Sequence, residues 1–251
     1  MGKLDGKVAV IAYAGGGIGK ATAELLKSEG AKVIVQDDAD AKLEGVPGEK
    51  FIGDLRKKED ADKFIEFAKS TGGGKIDILV NNQDFPEEKK KLIELTTEEF
   101  QKVIDLNLKT IWLTLGALYP IVKDQEKIGI KIINIGNLAG AAGVPRLVAY
   151  SSAKAGLYGL TKTVAKEWSR FPKVRCNMIN AGVIKFPEGY TAQGEGKTAS
   201  KAVSLNNPFA AVAAAPKDIA NVVLFLASDA SDAINAATID AFGGVYSISG
   251  E

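Results

Sequence analysis

The sequence predicts an α/β protein: a doubly wound parallel sheet covered on both faces by helices, forming a three-layer α/β/α single domain over residues 1–251. Three observations carry that reading. Short, nearly continuous apolar runs alternate with helical stretches, as expected of strands buried on both faces and joined by crossover helices. A glycine cluster, Gly15-Gly16-Gly17-Ile18-Gly19, follows the first apolar run and opens a helix. No repeat, low-complexity tail or linker marks a second domain, and 251 residues suffice to bury one large core.

In chain order, Lys7 to Ala12 is the first strand, and the helix after the glycines runs to about Glu29, where Gly30 stops it. Lys32 to Gln36 is the second strand, followed by Asp37-Asp38 and a helical or loop piece through Gly48. Phe51 to Asp54 reads as a third strand, Arg56 to about Ser70 as an amphipathic helix, and Ile76 to Asn81 as the fourth strand. Thr96-Thr97-Glu98-Glu99 has the form of a capping box and starts a long helix to about Lys123. Ile130 to Ile135 is the fifth strand, Ala149 to about Arg170 a helix, and Val174 to Asn180 the sixth strand. Residues 183–215 are irregular; Pro216 opens a helix to Ala227, and Thr238-Ile239-Asp240 ends the sheet.

Composition excludes several function classes. The formal net charge is +1, which points to no nucleic-acid or anionic-membrane partner. The lone Cys176, in an apolar strand, reads as a buried small hydrophobe and suits a reducing cytoplasm. There is no signal peptide and no apolar run of spanning length. Histidine is absent, which removes His triads, His metal ligands and His general bases together, and no metal is expected.

The stretch with the most chemistry is Tyr150-Ser151-Ser152-Ala153-Lys154. Residues four apart share one helix face, so a phenol and an ammonium can reach the same small volume. A cation beside a phenol favours the phenolate, preparing the Tyr to exchange a proton with an alcohol or carbonyl oxygen. Taken alone, such a pair is more often two unrelated surface residues; the surrounding motifs decide otherwise.

Those motifs resemble the short-chain dehydrogenase/reductase family over nearly the whole chain. Tyr150 and Lys154 fall on its catalytic pair, and Asn107, in Asp105-Leu106-Asn107-Leu108, on the Asn that helps hold a proton-relay water. Gly17-Ile18-Gly19 closes the glycine-rich turn, Asn81-Asn82 starts the segment after strand four, and Gly243-Gly244 sits at the usual C-terminal place. The resemblance implies a Rossmann-like fold, NAD-dependent interconversion of a secondary alcohol and a carbonyl, a small-molecule substrate covered by 183–215, and a homotetramer or homodimer packed through the helices at 97–123 and 149–170. It also implies that Asp37 meets the adenosine ribose and favours NAD over NADP, because no Arg or Lys lies between Ala12 and Ile18 to offset it. Asp54 would lie beside the adenine, and Leu55 and Gly182 would be further cofactor-binding positions.

The departures cluster in one cleft. Ala12-Tyr13 replaces a Thr-Gly, placing a phenol where backbone should approach the nucleotide, and a positive φ there would cost a Tyr about 1–2 kcal/mol. Gln83-Asp84 replaces Ala-Gly; Asn137 replaces the catalytic Ser, thirteen residues before Tyr150; and Phe186 replaces a Thr that holds the nicotinamide amide. Asn180-Ala181-Gly182 replaces a Pro-Gly, five alanines occur between Ala210 and Ala215, and Ala241-Phe242 replaces Val-Asp. The reading is a pocket rewritten on a kept scaffold, by a new ligand, by engineering or by neutral decay. Three functions follow: an NAD-dependent oxidoreductase impaired at its cofactor site; a non-redox catalyst using Lys154 as an amine nucleophile of the aldol/retro-aldol type or Asp84 as a general base; or an inactive scaffold.

Overall fold

The structure, a computed structural model, describes residues 2–85, 87–125, 129–182, 184, 190–191, 194–195 and 214–242. Strands β1 (Val8–Ala12), β2 (Lys32–Asp37), β3 (Glu49–Ile52), β4 (Ile78–Asn81), β5 (Lys131–Asn137) and β6 (Arg175–Ala181) alternate with helices α1 (Gly17–Ser28), α2 (Lys58–Thr71), α3 (Thr97–Ile104), α4 (Thr110–Asp124), α5 (Ala139–Ala142) and α6 (Val148–Glu167). A short antiparallel pair, β7 (Tyr190–Thr191) and β8 (Gly194–Glu195), precedes α7 (Pro216–Ala227) and β9 (Thr238–Ala241).

The main sheet has seven strands in the order β3-β2-β1-β4-β5-β6-β9, every pairing parallel. Successive strand residues enter opposite cores, as the period of two requires: Val10 and Ile34 pack with Phe64, Leu118 and Leu157, whereas Ile11 and Val35 pack with Leu26, Ile179 and Val223. Sequence order reverses between β1 and β4, where Ala12 lies beside Asn81. In an open α/β sheet that switch point opens a crevice at the carboxyl ends of the strands.

The long helix expected from Thr97 to Lys123 is interrupted. Its capping box forms, with Thr96 Oγ1 accepting from the Glu99 N–H at 3.2 Å and Glu99 Oε2 from the Thr96 N–H at 3.1 Å. A π-helical turn over Asp105–Lys109 then separates α3 from α4. The bulge seats Asn107 fully buried, its Nδ2 donating to Val103 O at 3.0 Å, and such turns occur often at functional sites. Strand three begins earlier than expected, at Glu49, so Gly53 and Asp54 lie beyond its end. The final turn of the 149–170 helix tightens to a 3₁₀ turn at Trp168–Arg170. Phe186, Gly243-Gly244 and most of 183–215 lie outside the described residues.

Gln125, after α4, holds this helix to the start of β4: its side chain accepts from the Ile76 N–H and donates to Ile76 O, both at 2.9 Å. Gln125→Ala strands two buried backbone groups at about 1–3 kcal/mol each. Urea unfolding should therefore show a loss of about 2–4 kcal/mol; a loss below about 0.5 kcal/mol would mean that water replaces the clamp.

Candidate active site

The first wall of the crevice is Tyr13, directly after β1. Its backbone has φ 53°, the left-handed conformation that an L side chain enters at a cost of about 1–2 kcal/mol. Two side chains hold it there. Gln36 Oε1 accepts from the Tyr13 N–H at 3.0 Å, and Asn82 Nδ2 donates to Tyr13 O at 2.9 Å. The ring, 5% exposed, meets Phe85 edge-on with centroids 4.9 Å apart, so buried aromatic contact offsets the backbone strain. Phe85 is a site residue that sequence reasoning missed; its position after Asn81-Asn82-Gln83-Asp84 was the only signal.

The turn beyond Tyr13 keeps its close packing. Gly17 has φ 46°, and a Cβ on Gly19 would come within 2.8 Å of Tyr13 O and Asn82 Nδ2. Ile18 is buried in the core beside α1. Helix α1 has neither a side-chain cap nor an acidic residue in its first turn, which leaves its positive end available to an anion. Asp37 is buried and accepts from the Gly15 N–H and the Asp38 N–H, each at 2.9 Å. Burial raises its pKa, opposed by those two N–H groups and by Lys42. Lys42 Nζ stands 3.6 Å from Asp37 and 2.6 Å from Asp38. A cation therefore does offset Asp37, supplied from downstream of the stretch between Ala12 and Ile18; its spacing of four from Asp38 was the available clue.

Asp54 is taken by Arg56, which donates from Nε at 2.8 Å and from Nη2 at 2.9 Å and holds the carboxyl below its ordinary range. Leu55 is fully buried in the hydrophobic core. The side chain of Asn81 turns away into the interior, donating to Asn134 Oδ1 at 2.8 Å. Gly182 abuts Phe242, whose Cβ lies 2.2 Å from where a Cβ would stand on the glycine. Asn180 Nδ2 donates to Asp240 Oδ1 at 2.8 Å.

Tyr150 and Lys154 do converge, but on a carboxylate. Tyr150 Oη donates to Asp84 Oδ1 at 2.5 Å, and Lys154 Nζ lies 3.1 Å from the same oxygen and 5.4 Å from the phenol ring centroid. Lys154, fully buried, also donates to Gln83 O at 2.7 Å. This corrects the expectation that Lys154 favours the phenolate. The Tyr150 pKa is raised well above its ordinary value, first by burial, then by the charge of Asp84 and the hydrogen bond to it. The non-redox roles meet the same obstacle: Lys154 Nζ is engaged by two oxygens, Gln83 O and Asp84 Oδ1, and Asp84 Oδ1 is engaged by both neighbours.

Asn107 clamps the segment after β4, accepting from the Phe85 N–H at 2.9 Å and donating to Phe85 O at 2.8 Å. Asn137 accepts from the Ala139 N–H at 2.9 Å and, among the described residues, bonds to neither Tyr150 nor Lys154. Glu87, also unforeseen, accepts from the Tyr150 N–H through Oε1 at 3.2 Å, while its Oε2 and both amide atoms of Gln83 are buried without partners among the described residues.

Between Tyr13, Asp37, Lys42, Asn82, Asp84 and Phe85 there remains a cavity of about 20 Å³. That is room for about one water, where bound organic ligands occupy roughly 300–1,000 Å³. The helix end suits a phosphate, but the rings on one side of it and the Asp84 carboxylate on the other do not fit a dinucleotide.

The comparisons with known proteins agree with this architecture. The family described as enoyl-(acyl carrier protein) reductase matches residues 12–246. The 3-oxoacyl-[acyl-carrier-protein] reductase FabG of Thermotoga maritima is 32% identical over 97% of this chain and 99% of its own length, and dehydrogenase/reductase SDR family member 6 of Rattus norvegicus is 33% identical over the same shares. The chain belongs to the short-chain dehydrogenase/reductase family. Among solved structures of such proteins, the 3-ketoacyl-(acyl-carrier-protein) reductase from Brucella melitensis, complexed with NADH, superposes with a TM-score of 0.86 at 25% identity, covering 97% of this chain and 100% of that one. Levodione reductase superposes with a TM-score of 0.84 at 25% identity, over 96% of this chain and 98% of that one. This short-chain dehydrogenase/reductase thus shares the overall sheet-and-helix fold of these solved structures.

The buried phenols give a pH dependence with a defined sign. Tyr13 and Tyr150 both have folded pKa values raised above the unfolded value near ~10. Their contribution to stability is complete below that value and is lost as pH rises through it toward the folded values, by up to about 1.4 kcal/mol per pH unit for each group. Urea midpoints measured between pH 9 and 11 should fall less steeply in Tyr150→Phe than in the unmodified protein; identical slopes would mean that Tyr150 ionises freely in the fold.

Proposed function

We propose that this chain is a short-chain dehydrogenase/reductase whose NAD-dependent interconversion of a secondary alcohol and a carbonyl is impaired at its cofactor site. The observation that carries the reading is the cavity of about 20 Å³ left between the Tyr13–Phe85 rings and Asp84. The chemistry assigned to this chain's residues is proton transfer. Tyr150 is the acid/base at the substrate oxygen, Asn107 fixes the adjoining segment through Phe85, and Asn137 stands at the position of the family's serine. Because Asp84 accepts the hydrogen bond of the Tyr150 hydroxyl and faces Lys154, that transfer is suppressed along with cofactor entry.

The substrate class is a small carbonyl or alcohol, as the names of the reductase relatives suggest. Residual dinucleotide binding should favour NAD, since Asp37 disfavours a 2′-phosphate even with Lys42 beside it. Calorimetry is expected to show no saturable NAD or NADH binding at micromolar concentrations, and NADH absorbance should stay constant with ketones. Micromolar NAD binding with turnover would establish an ordinary dehydrogenase, and tighter binding of NADP would overturn the role given to Asp37.

The assembly proposed is a homotetramer or homodimer through α4 and α6. Trp112 on α4, 58% exposed, borders a groove with Leu115, Tyr119, Leu160 and Trp168 that a second copy would cover. Light scattering should give a dimer or tetramer mass, and Trp112→Lys should lower it; an unmodified monomer would exclude this interface. Among the described residues no helix is long and apolar enough to cross a membrane, and a cytoplasmic location is part of the proposal.

A further inference from the structure

We infer that Asp84 is a built-in inhibitor: residues 82–85, with Glu87, form a plug whose Asp84 carboxylate takes the place that a ligand oxygen would need between Tyr150 Oη and Lys154 Nζ. The inference deepens the impaired-site reading and rests on it for what the plug excludes.

Contacts at four of its residues hold the plug. Asn82 bonds to Tyr13 O, Lys154 to Gln83 O, both Tyr150 and Lys154 to Asp84, and Asn107 to the Phe85 backbone. Glu87 adds a fifth by accepting from the Tyr150 N–H at the start of α6. Among the described residues, the charged and titratable groups around the phenol are thus Asp84 and Glu87 from the plug and Lys154 from its own helix. A buried ammonium needs an anion or several acceptors, and Asp84 is the carboxylate that pairs with it here. The plug is nevertheless poorly satisfied. Gln83 Nε2, Gln83 Oε1 and Glu87 Oε2 are buried without partners among the described residues, and opening would hydrate all three. Asp84 itself is 28% exposed at the edge of the residual cavity, so water reaches the lock.

The inference predicts that removing the carboxylate frees both donors and leaves an anion site between them. With ¹³C-tyrosine labelling, and Tyr150→Phe to assign the signal, Tyr150 in the unmodified protein should titrate well above an ordinary tyrosine. In Asp84→Gly its titration midpoint should fall by about one pH unit or more as the carboxylate's charge and hydrogen bond are lost. Sodium acetate should then shift the Tyr150 signal saturably in Asp84→Gly and leave the unmodified protein unchanged. If Asp84→Gly fails to fold because Lys154 is left unpaired, Asp84→Asn, which keeps an acceptor without the charge, should show the same fall in midpoint. Should neither variant fold, the unmodified protein decides: a Tyr150 signal titrating near pH 10 would overturn the plug. An unchanged midpoint in either folded variant, or acetate shifting the unmodified protein, would overturn it equally. None of these readouts involves a nucleotide, so micromolar NAD binding would defeat the impaired-site reading separately.

Discussion

A single oxygen, Asp84 Oδ1, receives the phenol of Tyr150 at 2.5 Å and the ammonium of Lys154 at 3.1 Å. Everything around the crevice follows from satisfying that buried cation. Lys154 sits at the start of a long helix packed into the core, where a lone charge would be very costly. A ligand could supply the acceptors in an open cleft. In this chain a side chain from the loop after β4 supplies them, and the loop is drawn down until Phe85 reaches Tyr13.

The two closures reinforce each other through the backbone. Tyr13 holds a left-handed φ only because Gln36 and Asn82 fix its two peptide groups and Phe85 buries its ring. Asn82, Asp84 and Phe85 lie within four consecutive residues, so moving any one of them disturbs both the aromatic contact and the carboxylate bridge. The π-helical turn at Asp105–Lys109 ties this strip to the scaffold, because it seats Asn107 against both polar groups of the Phe85 backbone. The adenosine side and the reactive side of the crevice are thus coupled through one short segment.

The fold was legible in the sequence because its signals are local: apolar runs bounded by glycines, a capping box at Thr96, and Pro216 opening α7. The four-residue spacing of Tyr150 and Lys154 likewise brought those side chains together, as helical geometry requires. What escaped was which partner each polar group would take. Lys42 reaching Asp37, Arg56 claiming Asp54 and Phe85 meeting Tyr13 are set by three-dimensional packing that no spacing encodes. The sign of the Tyr150 shift was misjudged for the same reason. The cation was visible in the sequence at i+4, but the nearer anion lay 66 residues away in the chain.

The most direct test of the account is a crystal structure of the unmodified protein grown with millimolar NADH. The account predicts Asp84 within hydrogen-bond distance of both Tyr150 Oη and Lys154 Nζ, the Tyr13 and Phe85 rings in edge contact, and no dinucleotide density in the crevice. Ordered dinucleotide along the end of α1, with Asp84 swung away from the two donors, would contradict it.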